Sequence, residues 1–195
     1  LAANSMGAQL SSRYALSHPE RVGSLAFIGS PLGVPSPRKS DMEIALQEGR
    51  FPLVVSTPED FHARNQWLSP QTLRVPAPIL RTWMTKELAQ KDKNAAIWHA
   101  VHGHGQVKNL LELADRIAPA SLIIWCLEDR IFHISGAEEL ALRLTDSRLE
   151  ILEDCGHVPM LDKPGEVARI YRDFLASQTS NPRFSGERPS HEKNY

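Results

Sequence analysis

The chain has 195 residues, 42% of them hydrophobic and 23% charged, and a formal net charge of −1 from 22 basic and 23 acidic side chains. This is the composition of a globular domain with one substantial core, and the balanced charge, with no Lys/Arg stripe on any apparent helix, excludes nucleic acid as an expected partner. No run approaches the roughly 18–20 consecutive apolar residues of a membrane span. Two cysteines, Cys126 and Cys155, are too few for a disulfide scaffold and lack zinc spacing, so free thiols are expected.

The first residue, Leu1, is not an initiator Met, and the residues that carry chemistry begin within five positions of it, so the sequence reads as truncated. Small and apolar residues at helical spacing predict a helix from about Ser5 to Ser17, closed by Ser17-His18-Pro19-Glu20, where the proline disfavours helical geometry before it. The apolar run Val22 to Gly29 predicts a buried strand. From Pro31 to about Val107, eight prolines punctuate short amphipathic pieces rich in Trp, Met and Leu, the pattern of a helical insertion. Alternation then resumes: a strand at Leu122 to Cys126, a helix near Ser135 to Leu144, a strand near Leu149 to Leu152 and a helix from Pro164 to Ala176. Strands alternating with helices predict an α/β fold with a parallel sheet covered on both faces. The expected organisation is a core segment over residues 1–30, a helical insertion over 31–107, a second core segment over 108–177 and a disordered tail over 178–195, where apolar residues almost vanish.

Ala3-Asn4-Ser5-Met6-Gly7 is a variant of the G-x-S-x-G nucleophile elbow, in which a strand turns sharply into a helix with serine at the apex. Small residues are needed two before and two after the serine because backbone segments nearly touch there, and alanine is the least disruptive substitute for the first glycine. The backbone N–H of Met6, at the helix start, is placed to donate to a developing oxyanion. The plainer alternative is that Ser5 merely caps a helix.

A serine hydroxyl is a weak nucleophile until a base takes its proton, and an imidazole base needs a carboxylate to fix its tautomer. Both partners follow, each directly after a strand: Asp129 after LIIWCLE and His157 after LEILEDCG, in the order Ser, acid, His that this elbow requires. Alone, Asp129 is an acidic turn residue and His157 a loop histidine; the joint order raises both. Glu128 and Asp154 are the competing acids. Glu128 points elsewhere if the turn is ordinary, and Asp154 is too near His157 in the chain to lie opposite it easily.

With these residues in view, the sequence resembles the α/β-hydrolase-fold monoacylglycerol lipases and the related bacterial lipases and esterases. The matching pieces are NSMGAQLSSRYALSHPERVGSLAFIGS, FPLVVSTPEDF, IIWCLEDRIFHISGAEELALRL and EILEDCGHVPMLDKP, which together span residues 1 to about 177. The resemblance implies the C-terminal portion of an α/β-hydrolase fold with Ser5 as nucleophile, His157 as base and acid, Asp129 as orienting carboxylate and Met6 as one oxyanion donor. It also implies that residues 31–107 form a cap whose apolar faces make the acyl pocket. Ala3 and Cys126 depart from the pattern, standing where glycine is usual, and a second oxyanion donor is expected from residues upstream of Leu1.

The activity so implied is hydrolysis of carboxylic esters with apolar acyl groups through an acyl-enzyme, with no cofactor and a small ester or lipid as partner. The fragment alone is expected to be inactive. The alternatives are a C–C bond hydrolase of a ring-cleavage product and a non-catalytic binding protein on the same fold. A cytoplasmic or membrane-associated location is expected, with any membrane attachment upstream. His99, His102 and His104 match no zinc spacing, so no metal site is expected, and Trp67, Trp83 and Trp98 are expected to pack within the insertion.

Overall fold

The computed structural model describes residues 1–71, 75–102 and 109–179. Four parallel strands, β1 (Ala2–Ser5), β2 (Ser24–Pro31), β3 (Ala120–Cys126) and β4 (Ser147–Leu152), lie side by side in chain order. The register pairs Ala26 with Leu122 and Leu122 with Arg148, so the C-terminal ends of all four strands share one rim. Each residue of β3 is buried, as expected of an inner strand covered on both faces.

The period of two along the strands divides the core. Leu25, Phe27, Ile123 and Trp125 pack on one face against Ala8 and Ala15 of α1 (Met6–Ser17) and Ala137 and Leu140 of α7 (Ser135–Arg143). Ala26, Leu122, Ile124 and Cys126 pack on the other against Val167, Ile170 and Phe174 of α9 (Pro164–Thr179). A doubly covered parallel sheet is therefore what these alternating apolar runs build. The tail expected from residue 178 lies outside the described residues from 180 onward, and α9 runs two residues further than that boundary.

Between β2 and β3 the described residues contain helices and no strand: α2 (Asp41–Gln47), α3 (Pro58–Leu68), α4 (Ala77–Leu88), α5 (Lys91–His102) and the single turn α6 (Leu111–Ala114). Capping boxes start two of them, Ser40 with Glu43 and Thr57 with Asp60. The backbone N–H of Ser56, with those of Thr57, holds the Asp60 carboxyl below the usual carboxylate range. No helix among the described residues is long and apolar enough to cross a membrane.

One expectation is overturned. Cys126 and Cys155 are not free thiols; they form a disulfide across the ends of β3 and β4, with Cα atoms 5.4 Å apart. The two residues sit at neighbouring strand ends, which spacing in the sequence does not reveal.

Candidate active site

The site is assembled on the C-terminal rim. Ser5 is the junction of β1 and α1 and has φ 51° and ψ −119°, a backbone conformation rare for a residue with a side chain. Such strain persists only where the surroundings over-determine it: the β1–β2 register shifts between Ala3 and Ser5, and the N–H of Leu32 donates to the Ser5 carbonyl at 3.1 Å. A Cβ on Gly7 would stand 3.5 Å from the Cβ of Ala3, ordinary contact, so one added methyl before the serine is accommodated.

Asp129 lies in the turn after β3. Its Oδ1 accepts the backbone N–H groups of Ile131 and Phe132, at 2.8 and 3.2 Å. Its Oδ2 faces the Nδ1 of His157 at 3.1 Å, and both side chains are almost wholly buried. Two of the residues singled out in the sequence are thus paired across 28 positions of chain. The competing acids are turned away: Glu128 accepts the Cys155 N–H at 3.3 Å, and Asp154 is exposed beside Lys163.

Sequence reasoning missed two polar side chains that hold this pair. Ser30, buried at the end of β2, donates from Oγ to Asp129 Oδ2 at 2.5 Å and lies 2.8 Å from His157 Nδ1. Asn4 donates from Nδ2 to the carbonyls of Ile28 and His157, at 2.9 and 3.0 Å. The signal available was position alone, since β2 ends on the rim between the strands that end at Ser5 and Cys126.

Ser5 and Met6 also line a cavity of about 720 Å³ whose wall continues through Leu32, Val34, Leu46, Val54, Trp98 and Phe132. Its lining is mainly aliphatic and aromatic, joining the elbow to α2, the loop after it and α5. The acid loop is clasped to the same helices: the Met42 N–H donates to the Arg130 carbonyl, and Arg130 pairs with Asp41 and stacks 4.0 Å over the Trp67 ring. Trp83 packs edge-on against Phe61, so of the three tryptophans only Trp98 faces the cavity. No metal-binding cluster occurs among the described residues; His104 and the side chain of His102 lie outside them.

The elbow, the paired acid and histidine and the sheet order converge on one family, and a family comparison decides it: residues 1–170 match the alpha/beta hydrolase family. The chain belongs to this family. Among alpha/beta hydrolases it is similar to monoacylglycerol lipase ABHD6 of Rattus norvegicus, with 29% identity over 91% of this chain and 54% of the relative. It is 26% identical to lipase 1 of Psychrobacter immobilis over 88% of the chain and 53% of that lipase. The chain therefore spans about half the length of these curated relatives. A crystal structure of a bacterial membrane phospholipase A, described as a virulence factor, superposes with a TM-score of 0.87 at 35% identity, over 93% of this alpha/beta hydrolase chain and 57% of that one.

Proposed function

We propose that the chain carries the catalytic triad of a serine hydrolase, with Ser5 as nucleophile, His157 as general base and acid and Asp129 as the carboxylate that orients the imidazole. The observation that carries this reading is the buried Asp129–His157 pair, at 3.1 Å, on the same rim as the strained Ser5 elbow. The substrate is a carboxylic ester with an apolar acyl group, in keeping with the apolar wall that runs from Ser5 to α5 and with the lipases to which the chain is similar. Residues 31–107 act as a cap over the acyl chain.

His157 Nε2 takes the Ser5 proton as Oγ forms a bond to the acyl carbon. The negative charge that develops on the carbonyl oxygen is met by the Met6 N–H. The ester C–O bond breaks and the leaving alcohol takes the proton from His157. Water then gives a proton to His157, attacks the acyl-enzyme and releases the carboxylic acid, while Ser5 regains its proton.

The test is fluorophosphonate labelling of the full-length protein, beside turnover of monoacylglycerols, nitrophenyl esters and a dienoate ketone. Ester turnover and labelling at Ser5, both abolished by Ser5→Ala, are expected, with kcat falling by about 10⁴-fold or more. Preferential cleavage of the ketone would assign the chain to C–C bond hydrolysis, and an unlabelled Ser5 in folded protein would make it a non-catalytic binding protein.

A further inference from the structure

We infer that Ser30 is a positioning residue for His157: its hydroxyl fixes the imidazole in the tautomer that leaves Nε2 free to act as base. The inference rests on the triad reading above and adds to it a fourth side chain.

A hydroxyl has one proton and two lone pairs, and an ionised carboxylate has only acceptors. The Ser30 Oγ lies 2.5 Å from Asp129 Oδ2, a distance at which the serine proton must point to the carboxylate. With that proton committed, the face of Oγ turned to His157 is a lone pair. His157 Nδ1 is 2.8 Å from it, closer than the 3.1 Å that separates Nδ1 from Asp129 Oδ2. Two acceptors therefore converge on Nδ1, and only an Nδ1–H relieves the contact.

The same arrangement fills Asp129. Oδ1 takes the N–H groups of Ile131 and Phe132, and Oδ2 takes Ser30 and His157, so all of the roughly four acceptor positions of a carboxylate are used and its plane is fixed. Without the Ser30 hydroxyl, Oδ2 loses its shortest partner and the imidazole one of its two acceptors. The backbone serves this placement. Gly29 has φ +87°, and a Cβ there would lie 2.6 Å from the His157 carbonyl oxygen, so β2 turns and closes against the histidine loop at the residue before Ser30. Ser30 is itself fully buried, so its hydroxyl has no water to answer to and its two partners define its role.

Ser30→Thr and Ser30→Val in the full-length protein separate this role from packing, because both add the same methyl branch and differ only by hydroxyl against methyl. The Val variant is expected to lose roughly 10- to 100-fold in kcat relative to Thr, the worth of one hydrogen bond to a charged group, with KM unchanged. The far-downfield Nδ1 proton resonance of His157 should persist in Thr and shift or vanish in Val. Equal kcat and an unmoved resonance in the two variants overturn the inference. Ser30→Ala guards against misfolding of the branched pair: it must show the same loss, and wild-type kcat in it overturns the inference equally. A wild-type protein with neither ester turnover nor labelling would instead overturn the triad reading on which the inference stands.

Discussion

The side-chain amide of Asn4 donates to the backbone carbonyl of His157 at 3.0 Å, so the residue before the elbow serine holds the histidine loop directly. Gly29 makes room for that contact. A Cβ at Gly29 would stand 2.3 Å from Asn4 Nδ2 and 2.6 Å from the His157 carbonyl oxygen, at a φ that side chains rarely adopt. Gly29→Ala is therefore expected to cost roughly 2–4 kcal/mol from strain and overpacking together. Asn4→Ala, which frees two carbonyls, should cost about 1–2 kcal/mol. In the double variant the amide no longer collides with the new methyl, so urea denaturation should give a combined loss smaller than the sum. Strict additivity would mean that the two residues do not meet.

The disulfide ties the acid loop to the histidine loop, since Cys126 is three residues before Asp129 and Cys155 two before His157. It closes a loop of 29 positions, for which the chain-entropy account gives about 3–4 kcal/mol. Native protein unfolded without reductant should show no thiol by thiol-specific titration, and two after reduction. Cys126→Ala paired with Cys155→Ala should lower the urea midpoint by an amount matching that estimate, as should production in a reducing cytosol. Two titratable thiols in the unreduced protein would contradict the bond.

How much of this was legible depends on how far apart in the chain the causes lie. LIIWC reads as a buried strand because five apolar residues in a row leave no polar face, and β3 is buried throughout. Ser5, Asp129 and His157 were found from local patterns plus one ordering rule. β2 runs to Pro31, beyond the boundary expected at Gly29, because a strand end pairing through its carbonyl side needs no N–H from proline. Ser30 was invisible: its partners lie 99 and 127 positions away, and nothing local distinguishes it from a turn serine. The disulfide was hidden for the same reason, since only the side-by-side placement of β3 and β4 brings the two sulfurs together.

Arg64 of α3 and Glu87 of α4 form a two-point ion pair at 2.7 and 2.9 Å, with both side chains largely buried, and the guanidinium lies 5.0 and 5.3 Å from the Phe61 and Trp83 ring centres. Removing one partner leaves a charge without its counterion in a poorly solvated place. Glu87→Ala should destabilise by about 3 kcal/mol, while Arg64→Met with Glu87→Leu, which replaces the pair by apolar volume, should be close to neutral. Thermal melts of the three proteins check this, and a double variant no better than Glu87→Ala would refute it.

The cavity beside Ser5 makes the last prediction. Val54 lines it from the loop after α2 and is only half-buried, so a larger side chain there reaches into the cavity with little cost to the fold. If the acyl chain lies along this wall, each methylene displaced forfeits about 0.8 kcal/mol of burial. Val54→Trp should then lower kcat/KM for a dodecanoyl ester by roughly 10- to 200-fold while leaving an acetyl ester nearly untouched, because the shorter chain ends before the obstruction. The ratio of the two rates is the measurement, since it cancels any general loss of folded enzyme. An equal fall for both esters would place the acyl group elsewhere and leave this cavity without a role in substrate choice.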